Sequence, residues 1–289
     1  MTRGRRNAEH LLRITVLNDA FGRDPAMTKD WGYAALVEAG GRRILFDTGN
    51  SGAVLATNVA AKDVDLGRLD FAVISHRHGD HMGGLAHLLA VNPAVRIYAP
   101  DEPFGIFGSE LAATLPRVDG SLAPHERYFD GNREGTWETG SAWPGADFRL
   151  VGATTKVAPG ITLIALVSDR PGTLELRELS MAIATSDGTV LVVGCSHPGI
   201  GHIVEVAKAI DPKISCVVGG LHLLVAADDE IARTVALLHD VYRVQHVAPG
   251  HCTGEPTLSA LKQAFGERCL YAGLGTTLVF DGFPVMPRA

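Results

Sequence analysis

The chain has 289 residues, 46% of them hydrophobic and 20% charged, the balance of an ordinary globular protein long enough to bury a substantial core in one large domain or two small ones. Lys and Arg number 26 against 32 Asp and Glu, a net charge of -6, so no whole-molecule positive field recruits nucleic acid or an anionic membrane, and a small-molecule substrate is the easier expectation. No apolar run reaches the ~18 residues needed to cross a bilayer, and Cys195, Cys216, Cys252 and Cys269, with no secretory signal before them, do not suggest a disulfide framework; a reduced, cytoplasmic protein is expected.

The basic start MTRGRR stops at Arg6 with no apolar stretch behind it and reads as a solvated, flexible tail over residues 1–10, ahead of a single domain over 11–289. LRITVLND is strand-like, and ALVEAGGRRILFDTG places two apolar runs around Gly40 and Gly41 as in a hairpin. A helix is expected over about 52–62, then the strand FAVIS, a helix through HMGGLAHLLAVN and the strand VRIYAP. From 101 to 150 the text turns Gly- and Pro-rich with scattered aromatics, an irregular insertion of the kind that serves as a lid or binding loop. Strand texture resumes in ITLIALVSD and in the hairpin MAIATSDGTVLVVGC, followed by the helix IGHIVEVAKAI, the strand SCVVGG, a helix over about 228–240, the strand QHVAPGH, the helix LSALKQAFG and the strand TTLVF. Each long hairpin is followed by a helix and another apolar strand, a layout consistent with internal duplication.

Four apolar runs end alike: FAVISHRH, LVVGCSH, CVVGGLH and HVAPGH. Strands buried on both faces read as continuous apolar runs, and open α/β sheets place ligands at their C-terminal ends. Small residues before each histidine (Ser75, Gly194, Gly219 and Gly220, Gly250) are expected to let the backbone turn sharply. If these ends gather, so do His76, His78, His197, His222 and His251. Packing alone cannot hold such a cluster, because charged imidazoles repel and unpaired neutral ones are costly to bury. A divalent metal resolves the conflict, since imidazole and carboxylate suit it and catalytic sites use three or four protein ligands while keeping a position for water. His76 and His78 could grip one ion from an extended tip, with Asp80 and His81 aimed by the turn at Gly79 toward a neighbouring one. His10, His87, His125, His202, His239 and His246 stand outside the constellation and read as ordinary surface or core imidazoles. Cys252 reads as a small buried thiol. Arg170-Pro171-Gly172 reads as a surface turn, the alternative being a guanidinium held near an anionic substrate.

HRHGDH (76–81), with FDTG upstream, an apolar strand before it and GGL after it, resembles the H-x-H-x-D-H signature of the metallo-β-lactamase superfamily. Within it, GCSHPGI, GGLHL and PGHCTG resemble the branch of dihydropterin ribofuranosylaminobenzene phosphate synthase-like hydrolases. The resemblance covers roughly residues 12–281. It implies an α/β (α+β) fold, a four-layer αββα sandwich of two mixed sheets flanked by helices, with zinc as one or two ions in the cleft between the sheets, iron or manganese being alternatives. Carried over, it assigns His76, His78 and His197 to one metal and Asp80, His81 and His251 to the other. Better-known members place a bridging aspartate at a strand end between the third and last histidines; here Cys195 or His222 occupies the candidate positions. Asp47 of FDTG is expected either to orient a ligand histidine or to bond its own turn.

The expected reaction is hydrolysis of an ester-type or phosphorylated small molecule by metal-activated water, with Asp80 orienting the nucleophile and His222 protonating the leaving group. Rival readings are a nuclease or phosphodiesterase of the same fold, which the charge disfavours, and a non-enzymatic metal or ligand sensor. Neither a nucleic-acid nor a membrane partner is expected, and a homodimer is left open.

Overall fold

The computed structural model describes residues 11–102, 107, 110–111, 119–127, 137–138, 143 and 145–283. The expected tail over 1–10 and most of the expected insertion over 101–150 lie outside these residues. In chain order the elements are β1 (Leu12–Asn18), β2 (Ala34–Ala39), β3 (Arg42–Phe46), α1 (Gly52–Ala61), β4 (Phe71–Val73), α2 (Gly79–Met82), α3 (Leu85–Val91), β5 (Arg96–Pro100), β6 (Glu110–Leu111), β7 (Trp137–Glu138), β8 (Asp147–Val151), β9 (Thr155–Ala158), β10 (Ile161–Val167), β11 (Arg177–Thr185), β12 (Gly188–Val193), α4 (Ile200–Ile210), β13 (Ile214–Gly220), α5 (Asp228–Ala236), β14 (His246–Gly250), α6 (Glu255–Phe265) and β15 (Thr277–Phe280).

Two large sheets form. One runs β15-β1-β2-β3-β4-β5-β8 and the other β14-β13-β12-β11-β10-β9. Both are mixed in the same sense: antiparallel hairpins (β1-β2-β3; β10-β11-β12) lead into parallel strands (β3-β4-β5; β12-β13-β14). The shared layout read from the two hairpins is therefore repeated in the strand pairing.

Alternation along the strands sorts the apolar side chains into three layers, because successive residues of a strand face opposite sides. Ala35, Val37, Ile44, Phe46 and Val73 of the first sheet meet Leu179, Met181, Val190, Val192 and Val218 of the second in one core between the sheets. Their sequence neighbours face outward: Leu36, Leu45, Ala72 and Ile74 pack with Leu55 of α1 and Leu85 and Leu88 of α3, whereas Leu191, Val193 and Val217 pack with Ile203 and Val204 of α4, Ile231 of α5 and Leu261 of α6. Strands covered on both faces must be apolar throughout, and every residue of β12 and β13 is buried. The result is the expected four-layer αββα sandwich.

Local departures have physical causes. The helix expected through HMGGLAHLLAVN breaks into α2 and α3 at Gly83 and Gly84, which lie against the backbone of Asn50 and Thr48. The helix expected over 228–240 is α-helical to Ala236 and continues as a π-turn over Leu237–Val241. The end of the segment read as irregular carries β8, which pairs in parallel with β5; its partly exposed DFRLV text lacks the apolar run that marks a buried strand. No described helix is long and apolar enough to cross a membrane.

Candidate metal centre

The parallel strands β4, β12, β13 and β14 all point their C-terminal ends at one rim of the cleft between the sheets, and the histidines that follow them meet there. Ring centroids lie 4.7 Å apart for His76 and His78, 4.6 Å for His76 and His197, 4.8 Å for His78 and His197, 4.1 Å for His76 and His81, and 4.8 Å for His81 and His251. His222 joins from the mouth, 4.2 Å from His197. Among the groups of potential ligand atoms that result are His76/His78/His197 and Asp80/His81/His251, each with its atoms within 4.8 Å of one another. Asp80 sits at the edge, its Oδ2 3.7 Å from His81 Nε2 and 3.5 Å from His251 Nε2.

The turns that deliver these side chains are made differently from the sequence expectation. Of the small residues preceding the histidines, only Gly219 has a positive φ; the left-handed positions are Asp47 (φ 58°), Ser196 (67°), His222 (52°) and His251 (48°) themselves. Non-glycine residues there cost of order 1–2 kcal/mol each, a cost typically borne where function fixes the backbone. Gly194 is small for a different reason: a Cβ on it would stand 2.3 Å from Ser75 Oγ and 3.1 Å from Asp47 Oδ2, so it lets the two sheets close over the site.

Buried carboxylates aim the rings. Asp47, fully buried, accepts from Ser75 N (2.6 Å) and Ser75 Oγ (2.7 Å) and is bonded to His81 Nδ1 (2.7 Å); of the two roles expected for it, the structure shows the contact to the histidine. Glu178 of β11 accepts from the backbone N–H of Cys195 (3.0 Å), Ser196 (2.7 Å) and His197 (2.8 Å) and from His197 Nδ1 (2.9 Å). Burial alone would push the Glu178 carboxyl up, but the His197 ring and these N–H groups outweigh it and hold it below the ordinary carboxylate range. Burial lowers His81 as well, yet the Asp47 charge beside it leaves its pKa raised. Burial and neighbouring imidazoles hold His76 far below its ordinary value and bring His78 down to about 4.

With Nδ1 of His76, His81 and His197 occupied by Ser75 Oγ (2.9 Å), Asp47 and Glu178, the Nε2 atoms face the centre. Among the described residues His76 Nε2, His197 Nε2 and His251 Nδ1 are buried without a partner, and His81 Nε2 faces His251 Nε2 at 3.1 Å. Buried ring nitrogens with no partner, such as those of His76 and His197, are costly unless a cation lies beside them. The donor set therefore fits a divalent metal: imidazole nitrogens, those of His76, His81 and His197 backed through the other ring nitrogen, beside a carboxylate.

Sequence reading missed several participants. Glu178 is a lone acidic residue entering the buried face of β11, a weak signal whose meaning depends on the neighbouring strand. Asp19, directly after β1, accepts from the backbone N–H of His251 (2.9 Å) and of Phe21 (2.9 Å); burial raises its pKa to about 7. Cys252 is a buried thiol as expected, but its Sγ lies 3.3 Å from Cys195 Sγ and accepts from His222 N at 3.3 Å. Burial pushes both thiols up; bonding to Cys195 and His222 then draws Cys252 below the usual thiol range, leaving Cys195 well above it. Arg170 pairs with Glu230 at 2.5 Å. Beside the centre opens a cleft of about 350 Å³, lined by Phe21, Lys29, Trp31, Leu224, His251 and Glu255 among others, with Trp31 tilted 5.3 Å from the His251 ring.

Residues 30–205, more than half of the chain, match the family model described as Metallo-beta-lactamase superfamily. The chain belongs to this superfamily. Relatives extend the likeness to 88% of the chain. A Methanocaldococcus jannaschii protein named 7,8-dihydropterin-6-methyl-4-(beta-D-ribofuranosyl)-aminobenzene-5'-phosphate synthase is 26% identical over 286 residues, covering 88% of this chain and 91% of its own. A second M. jannaschii protein, of uncharacterised function, is 27% identical over 274 residues, covering 88% of this chain and 94% of its own. The crystal structure of a metal-dependent hydrolase of the beta-lactamase superfamily superposes with a TM-score of 0.66 at 25% identity, covering 93% of this chain and 99% of that one. The fold alone is shared with a human short-form tRNase Z at 14% identity and a TM-score of 0.53, covering 94% of this chain and 99% of that one. The superfamily membership and the sandwich inferred from HRHGDH and its context are thus both established.

Proposed function

We propose that the protein is a metal-dependent hydrolase of a small ester-type or phosphorylated molecule, and that zinc in one or two positions is its cofactor. The observation that carries this is the pair of ligand groups in which the His76, His81 and His197 rings are fixed from behind by Ser75, Asp47 and Glu178 while the His76 and His197 Nε2 atoms are buried without a partner among the described residues. His76, His78 and His197 would hold one ion, and Asp80, His81 and His251 the other. Such ions supply Lewis acidity: a water acidic enough to ionise near neutral pH and a polarised oxygen on the bond under attack.

The chain's own groups do the rest. Asp47 and Glu178 keep the protons of His81 and His197 on Nδ1, so that the Nε2 lone pairs remain available. Asp80, with 21% of its side chain exposed and its Oδ2 within 3.7 Å of His81 Nε2 and 3.5 Å of His251 Nε2, is the carboxylate that orients the attacking water. His222, exposed at the mouth beside His197 and raised in pKa by its bond to Cys252, with burial opposing, is the group placed to protonate a departing oxygen. The cleft beside His251 is of a size for a small molecule; Trp31 offers it an aromatic face and Lys29 a cation. The relative named as a 5'-phosphate synthase adds support for a phosphorylated substrate, and the net charge of -6 weighs against a nuclease.

The test is turnover of phosphodiester, phosphomonoester and thioester reporters by the purified protein before and after chelation. Activity is expected on at least one class, lost on chelation, restored by zinc, and absent from His78→Ala and His81→Ala. Full turnover by metal-free protein or by either variant would refute the reading.

A further inference from the structure

Two dications in this centre would face one anionic ligand among the six proposed, Asp80, which sits at the rim. The middle of the centre is occupied by sulfur. Cys195 Sγ falls within 4.8 Å of ligand atoms on His76 and His81, on His197 and His222, and on His251 and Cys252, so it lies within a metal's span of both groups. Its side chain is buried, with the residue only 4% exposed, whereas His222 lies exposed at the mouth. Ligands on one tetrahedral zinc at ~2.0–2.3 Å stand roughly 3.3–3.8 Å from each other, and Cys195 Sγ is 3.2 Å from His81 Nε2. The backbone fixes the sulfur there: Cys195 N donates to Glu178 (3.0 Å), the same carboxylate that aims His197 (2.9 Å). The neighbouring unpartnered atoms are His76 Nε2 and His197 Nε2, one in each of two groups that share Cys195.

We propose that Cys195, giving up its thiol proton to solvent as metal binds, is the anionic ligand shared between the two metal positions, in place of a strand-end aspartate, with Cys252 Sγ 3.3 Å away. This rests on the reading of the site as a metal centre and assigns it a sulfur donor. A thiolate favours softer ions such as zinc over magnesium or manganese. It also exposes the centre to oxidation in a way that an aspartate bridge would not.

The experiment uses the full chain loaded with zinc or cobalt(II). X-ray absorption of the zinc protein should show a sulfur shell near ~2.3 Å beside nitrogen and oxygen at ~2.0–2.2 Å, and the cobalt protein a thiolate-to-metal charge-transfer band in the near ultraviolet. Both signals should vanish in Cys195→Ser and in Cys195→Asp and persist in Cys252→Ser, with circular dichroism reporting whether each variant is folded. Two metals bound through nitrogen and oxygen only would overturn this inference and leave the hydrolase reading standing; a protein that holds no metal would overturn both. Persistence of the sulfur signal in Cys195→Ser with its loss in Cys252→Ser would also overturn it. The wild-type spectra decide the presence of sulfur even if a variant fails to fold.

Discussion

Glu178→Gln removes one charge and no volume from a fully enclosed position. Its carboxylate accepts four hydrogen bonds, two on each oxygen: Cys195 N and Ser196 N on Oε1, His197 N and His197 Nδ1 on Oε2. A glutamine offers one carbonyl oxygen, so its amide nitrogen must face one pair of donors. If it faces Cys195 and Ser196, two bonds to a charged acceptor are lost, at ~1.5–3 kcal/mol each, or about 3–6 kcal/mol. If it faces His197, one backbone bond is lost and the His197 proton moves to Nε2, directing an N–H at the centre. Since domains are stable by only ~5–15 kcal/mol, the urea midpoint should fall severely. Metal affinity in a chelator competition should drop by about 10–100-fold, as when outer partners of ligating imidazoles are removed. A midpoint shift worth less than ~1 kcal/mol, with unchanged metal affinity, would refute the role given to Glu178.

Asp47→Asn should keep the fold but weaken metal binding by about 10–100-fold, because it replaces the charged partner of His81 Nδ1; titration against a chelator reads this directly. Gly194→Ala forces a methyl to within 2.3 Å of Ser75 Oγ and should cost ~1–3 kcal/mol of overpacking in denaturant unfolding, together with disturbed metal binding. Lys62 bonds Asp24 at 2.8 Å and lowers its pKa from the ordinary 3.8. A depressed carboxylate contributes stability above its unfolded-state pKa and loses it as pH falls through the folded one. Asp24→Asn should therefore lower the Tm slightly at neutral pH, with the difference from wild type vanishing in acid below the ordinary 3.8; a difference that grows in acid would contradict the pairing.

Much of the fold was legible because its central strands are buried on both faces. Runs such as TVLVV and SCVVGG have no other reading beside turn residues, and the four that end in histidine identify the rim where the cleft opens. The six expected ligand side chains are brought together there. What the text did not show depends on neighbours across the sheet. Glu178 is one acid in a strand until β12 is laid beside it, and the closeness of Cys195 to Cys252 exists only after β12 and β14 flank β13. Left-handed backbone at His222 and His251 has no sequence marker: His222 stands between Leu221 and Leu223, and the glycine before His251, Gly250, does not itself take a positive φ. β8 escaped because its partly exposed residues carry no apolar periodicity.

Anomalous diffraction from crystals of protein purified without added ions reports whether the histidine cluster holds metal. Transition-metal peaks are expected within bonding reach of the Nε2 atoms of His76 and His197 and of His81 and His251. A wild-type structure with no anomalous peak there, its imidazoles hydrogen-bonded to one another or to water, would contradict the metal-centre reading.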